Sequence, residues 1–241
     1  MFNSLIAAVI DLVLPRRCVG CAAPGWALCR RCRPGAPSIV ADDPVPAVPV
    51  LAGAVYAGAM RRAVLAFKER GRRDLVAVLG LVLGRAVAAL VSGAGRDLGG
   101  VVLVPVPSSP GAAAARGGDH VVRLARRAAA VSGVRVAPGV LRLERTVQDS
   151  AGLSRAERER NLHGALRARA PAAGVCRAIV VDDIVTTGAT LREATRALQR
   201  AGWEVVGAAV VASTPRQPAP AGGTTPASGM TSSLAGPSQP V

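Results

Sequence analysis

The stretch that most constrains this chain runs from Ala178 to Thr190 and reads AIVVDDIVTTGAT. Ala178 to Val181 form an apolar run suited to a buried strand, and Asp182 and Asp183 follow where such a strand is expected to end. Ile184 and Val185 lead into a small-residue loop, Thr186, Thr187, Gly188, Ala189 and Thr190. Leu191, Ala194, Leu198 and Ala201 then recur at helical spacing until Gly202 supplies a stop. A hydroxyl and glycine loop at a helix N-terminus offers backbone N–H groups and the positive end of the helix dipole to a phosphate. Two adjacent carboxylates in front of it suit a pair of ribose hydroxyls, or help hold a magnesium ion. The stretch is expected to be a ribose 5-phosphate cradle; the simpler alternative is an ordinary strand and helix joined by a polar turn.

The rest of the chain supplies the sheet this unit needs. AGAVYAG (52–58) has strand character, and MRRAVLAFKERGRRD (60–74) reads as a helix ending in a basic turn with Lys68, Arg70, Arg72 and Arg73. That cluster suits phosphate or nucleic acid, or simply solvent. A helix is expected over 74–91, a buried strand over 101–106, a helix over 119–131, a strand within 133–143, and strands at 176–181 and 204–212 around the helix 189–201. This β/α alternation implies a parallel sheet whose ligand loops, 106–118 and 182–190, share one edge. The polar segment 144–166 between two strands is expected to act as a lid or to form a helical hairpin surface.

Charge permits some partners without dictating them. The net charge is +15, and Lys68 is the one lysine among 30 basic residues. Nucleic acid or anionic substrates fit such a balance, and so does a solvated arginine-rich surface. Single-strand binders rely on aromatic stacking, and this chain has only Phe2, Trp26, Tyr56, Phe67 and Trp203. The apolar run 75–84 is bounded by Asp74 and Arg85 and is too short to span a membrane, so no membrane span is expected. The apolar N-terminus lacks basic residues before its apolar run and contains Asp11, so it reads as a short packing helix rather than a signal peptide, and a cytoplasmic location is expected.

Cys18, Cys21, Cys29 and Cys32 form two C-x2-C pairs seven residues apart, the spacing of a closed four-thiolate structural zinc site. Redox cysteines or disulfides are the alternative. Cys176 stands alone and is expected to be buried and inert. His120 and His163, the only histidines, lie near loops of the expected site, where a structural or solvated role is favoured over catalysis. The expected division is 1–35 for an N-terminal helix and cysteine lobe, 36–50 for an extended linker, 51–212 for the α/β domain and 213–241 for a disordered tail rich in Pro, Gly, Ser and Thr.

VVDDIVTTGAT resembles the phosphoribosyl pyrophosphate (PRPP) binding motif of type I phosphoribosyltransferases. The resemblance implies that Asp182 and Asp183 engage the ribose diol, as the catalytic pair, and that Thr186, Thr187, Gly188, Ala189 and Thr190 wrap the 5-phosphate, with magnesium accompanying PRPP. With the four cysteines, GAVYAGAMRRAVLAFKERGR, VPVP, ARGGDH and RTVQDSAGLSRAERERNLHGAL in the same order, residues 1–212 resemble the ComF family of competence-related phosphoribosyltransferase-like proteins. This implies a type I phosphoribosyltransferase-like parallel sheet flanked by helices, joined to a zinc-binding lobe and linked to DNA uptake or nucleotide metabolism. Single-stranded DNA or competence proteins would then be partners, beside PRPP and an unidentified base. A non-catalytic nucleotide- or single-stranded-DNA-binding module is the alternative.

The chain departs from the family at two places. Arg-Gly-Phe-Asn-Gln is replaced by Arg116, Gly117, Gly118, Asp119 and His120, and the glutamine of the lid segment is Ser150, while Arg145, Leu153, Arg158 and Asn161 fit the pattern. Purine salvage enzymes carry an extra aspartate at the position of Thr186, so a 6-oxopurine acceptor is disfavoured.

Overall fold

Alternating runs of Val, Ala and Ile with amphipathic helices build a sheet covered on both faces, because a strand apolar on both sides must be sandwiched. The computed structural model describes residues 16–40, 44–93, 99–115, 117–145, 155–173 and 176–215. The N-terminal helix expected before Pro15, Ser150, Leu153 and the tail from 216 lie outside the described residues. Strands β1 (Ser38–Ile39), β2 (Val50–Ala52), β3 (Val101–Pro105), β4 (Arg135–Val136), β7 (Arg177–Val185) and β8 (Glu204–Ser213) form one sheet in the order β1-β2-β8-β7-β3-β4. All neighbours are parallel except the edge pair β1 and β2. β5 (Leu141–Leu143) and β6 (Leu166–Ala168) pair antiparallel as a separate hairpin.

Side-chain parity along β7 sorts the core. Ile179 and Val181 face α1 (Gly58–Glu69), α2 (Val76–Gly93) and α4 (His120–Ser132). Ala178 and Val180 face α6 (Ala189–Arg200) and the β5-β6 hairpin. Two short helices complete the chain order, α3 (Pro110–Ala115) and α5 (Arg155–Leu162).

Three expectations are corrected. The described parts of the expected extended linker, 36–40 and 44–50, are packed: they supply β1 and bury Val45, Val48 and Val50 against the α6 face. Cys176 is exposed rather than buried, because it lies just outside β7. β7 does not end before the acids but continues through them to Val185, since β8 pairs alongside Asp182, Ile184 and Val185.

By length and composition Arg73–Gly93 would suffice to cross a membrane, with a mean hydropathy of 2.3. Its Val78, Leu79, Val82, Leu83, Ala86 and Val87 are buried, as in a core helix. Gly80 and Gly84 bring α2 close to α4: a Cβ at Gly80 would lie 2.4 Å from Arg127 Cβ, and one at Gly84 2.7 Å from Val131 Cβ. Gly84→Leu is therefore expected to destabilise the protein, although the helix itself gains about 1 kcal/mol on losing a glycine. Overpacking of such a seam costs about 1–3 kcal/mol or more. A denaturant midpoint at or above that of the wild type would show that the seam is not tight.

Candidate functional site

Parity also decides what each acid meets. Asp183, in register with Ile179 and Val181, points toward α1 and α4; Asp182 points toward the α6 side. They are 5% and 8% exposed. Asp183 Oδ2 accepts from His120 Nε2 at 2.8 Å and pairs with Lys68 Nζ at 3.0 Å. An ionised carboxylate only accepts, so the proton of that histidine bond sits on Nε2, and Nδ1 of a neutral ring takes the hydroxyl of Ser108, 2.9 Å away. Phe67 meets the imidazole edge-on at a centroid distance of 6.1 Å and helps fix its plane.

Asp119 connects the next loop to this network. It caps α4 by accepting from Val121 N at 2.9 Å and Val122 N at 3.3 Å, while its other oxygen takes Ser108 N at 2.7 Å. One carboxylate thus starts the helix that delivers His120 and holds the loop leaving β3.

The acids differ in charge state. Burial pushes Asp183 toward its neutral form, but the His120 hydrogen bond and the Lys68 ammonium outweigh it and hold its carboxyl well below the usual range. Burial, reinforced by the negative charge of Asp183, pushes Asp182 well above that range. Asp182 Oδ1 also accepts from Asp183 N at 2.7 Å. The two carboxyls are thus pushed in opposite directions, Asp183 toward the anion and Asp182 toward the protonated acid.

The loop 186–190 lies immediately beyond. Gly188, at φ +78°, caps α6, and a Cβ there would lie 2.6 Å from Pro44 O. Arg192 Nη1 donates to Pro44 O at 2.6 Å and to Thr187 O at 2.9 Å, which pins the segment after residue 43 against the loop. The first-turn N–H groups of α6 have no carbonyl one turn earlier to bond and open on a hollow of about 250 Å³ lined by Thr186, Thr187, Gly188, Ala189 and Thr190, with Leu162 of α5 opposite. A second hollow of about 490 Å³ is bordered by Asp182, Asp183, Lys68, Ser108, Ser109 and His120. The two share Ile184, Thr186 and Thr190 and so adjoin.

Residues 169–223 match the phosphoribosyl transferase domain. The matched segment contains β7, the acid pair, the loop, α6 and β8. The chain has no significant match among curated proteins. The fold is phosphoribosyltransferase-like: a mostly parallel sheet with helices on both faces and a cysteine cluster at its N-terminal side.

Reading by sequence did not connect Lys68, Ser108 and His120 to Asp183. The available signals were the isolation of Lys68 in an arginine-rich chain and an aspartate directly before His120 at a helix start. His163 is exposed and away from this network, although its carbonyl accepts from Arg145 at 3.1 Å. Glu193 was also missed. It is buried on α6 and binds Arg196 through both oxygens at 2.7 Å and Leu166 N at 3.0 Å, docking the β5-β6 hairpin. Residues 144–166, expected as a lid or hairpin surface, include part of that docked hairpin and α5, with 146–154 outside the described residues.

Cys18, Cys21, Cys29 and Cys32 bring their sulfurs within 4.8 Å of one another, and Cys21 and Cys29 Sγ are 3.6 Å apart. Tetrahedral thiolates about 2.3 Å from a zinc ion lie about 3.8 Å apart, whereas a disulfide needs about 2.05 Å. Gly20 N and Cys29 N each approach Cys18 Sγ at 3.3 Å. Burial works against the Cys18 thiolate, but these N–H donors bring its pKa down to about 6; burial and the neighbouring sulfurs push Cys32 up to about 12. The donor set fits a metal that takes four soft ligands.

Proposed function

We propose that this chain binds PRPP and acts as a phosphoribosyltransferase-like protein of the ComF type. The observation that carries the reading is the continuity of the two hollows: a helix N-terminus suited to a phosphate lies beside two buried carboxyls suited to a ribose diol. The 5-phosphate would sit on the N–H groups of 187–190. The sugar would lie across Asp182 and Asp183, with the diphosphate toward Ser108 and Ser109.

In transfer, the bond at ribose C1 breaks as positive charge builds on the sugar and negative charge on the leaving diphosphate. Asp183, held anionic, would stabilise the sugar electrostatically, while the loop after β3, whose Ser108 is already fixed by Asp119 and His120, would border the leaving group. Magnesium supplies charge neutralisation to a diphosphate. Among the described residues the four cysteines are the one converging set of three or more His, Cys, Asp and Glu groups, so Asp182 and Asp183 would help hold the ion only together with oxygens of PRPP. The four cysteines would hold a structural zinc. Thr186 in place of an acid keeps a 6-oxopurine acceptor disfavoured. A link to DNA uptake or nucleotide metabolism follows from the family resemblance.

Calorimetry with PRPP and magnesium tests the reading. Wild type should bind, and Thr187→Val should bind about tenfold or more weakly, since a hydrogen bond to a charged group is worth about 1.5–3 kcal/mol. Absence of binding to wild type would remove the proposal.

A second reading, direct binding of single-stranded nucleic acid, is favoured by one observation. Arg142 and Arg167 stand directly opposite each other on the exposed face of the β5-β6 hairpin, and Arg167 Nη1 pairs with Glu144 at 3.0 Å, so a phosphate bridging the two arginines would compete with that carboxylate. Such binding should weaken steeply between low and high salt. A salt-independent affinity would count against it.

A further inference from the structure

Lys68 is the one lysine in a chain that uses arginine at all its other basic positions. It is placed where a compact, flexible ammonium differs most from a guanidinium fork, against a buried carboxylate on a cavity wall. Its partner oxygen is fully engaged, because Asp183 Oδ2 holds both Lys68 and His120. The two donors are not held equally firmly. The His120 side chain is 7% exposed and anchored at its other nitrogen by Ser108, whereas the Lys68 side chain is 38% exposed at the end of α1. Any rearrangement of this network on ligand entry therefore moves Lys68.

We propose that Lys68 is a transferable counter-ion that couples two subsites: it neutralises Asp183 while the cavity is empty and passes to the diphosphate when ribose hydroxyls take its place on Asp183. The inference rests on the PRPP reading. A diphosphate carries more charge than one carboxylate and attracts the ammonium more strongly. Drawing Lys68 away leaves a lone pair on a buried anion unsatisfied, which is costly unless a donor replaces it. Ribose hydroxyls are such donors, and by occupying Asp183 they free Lys68 for the diphosphate. Each ligand makes the other's binding more favourable, and linkage requires the effect to be reciprocal.

The experiment titrates inorganic pyrophosphate into the full chain with magnesium, with and without saturating ribose 5-phosphate, in wild type and Lys68→Met. In wild type, ribose 5-phosphate should tighten pyrophosphate binding about fivefold or more. In Lys68→Met the tightening should vanish while ribose 5-phosphate still binds. A readout on wild type alone guards against a variant that does not fold. The lone ε-amine is acetylated with an N-hydroxysuccinimide ester and followed by peptide mass, and the two ligands together should suppress labelling that ribose 5-phosphate alone does not. Equal pyrophosphate affinity with and without ribose 5-phosphate, coupling that persists in Lys68→Met, or labelling indifferent to both bound ligands would each overturn the proposal. Failure of ribose 5-phosphate itself to bind wild type would overturn the cradle reading, and this inference with it.

Discussion

Asp182→Asn is expected to raise stability at pH 8 and Asp183→Asn to lower it, although the substitutions are chemically identical and adjacent. Asp182 has a folded pKa raised by burial and by Asp183, so the native state keeps a proton that the unfolded chain releases above about pH 4. Its contribution is favourable at low pH and is lost as pH rises toward the folded value. An amide removes that loss and should add about 1 kcal/mol or more at pH 8, the scale of an imperfectly satisfied buried group. Asp183 has the opposite sign. Its folded pKa is depressed by His120 and Lys68, so its contribution is present above the unfolded value and lost as pH falls below it.

Replacing Asp183 with Asn leaves two donors facing a neutral amide. Breaking a buried pair costs about 3–5 kcal/mol, and the half-exposed Lys68 places this case near the lower end, about 3 kcal/mol. Melting temperatures of both variants from pH 4 to pH 9 check the signs; parallel curves would show that the acids share one environment. The double Asn variant should also lose PRPP binding, because amides cannot replace a charged acceptor for the diol. Equal affinity in wild type and the folded double variant would rule out the acids as diol ligands.

The strand, loop and helix of the matched segment were legible because their signals are local: an apolar run, a Thr-Gly loop and a helical repeat lie within one short stretch. The setting of the acids was not. Read along the chain, Asp182 and Asp183 mark the end of a strand at a solvent edge, where the core does not need them. In the sheet they remain inside β7, and alternation sends Asp183 toward residues 63 and 115 positions away. No periodicity links Lys68 on α1, His120 on α4 and Asp183 on β7, since their meeting is decided by which helices cover which face. The segment 36–50 misled for a related reason. Its prolines and small residues suggest a linker, yet three valines are enough to dock 44–50 beside the Gly188 loop, where Pro44 accepts from Arg192.

Removal of metal should be the most damaging single treatment, and its effect should reach the distant site. Among its described residues the lobe has no separate core: Cys18, Leu28 and Cys29 are buried in the same cluster as Met60, Ala63 and Val64 of α1. Arg62 of α1 donates to the carbonyls of Val19 at 3.1 Å and Gly20 at 2.7 Å, and a Cβ at Gly20 would lie 2.6 Å from Cys32 Sγ. The first knuckle is thus fixed to the helix that carries Lys68 about one and two-thirds turns after Arg62. Structural zinc contributes about 10–16 kcal/mol of apparent binding energy in small domains, far more than a lobe of this size gains by burial. Chelation, or Cys32→Ser, should lower the melting temperature and unfold the lobe. Because α1 loses its anchor, PRPP binding should weaken too, without any change at Asp183 or the loop 186–190. Metal analysis should find one zinc per chain. A chain that stays folded and binds PRPP equally well without metal would show that the cysteines neither hold the lobe together nor support Lys68.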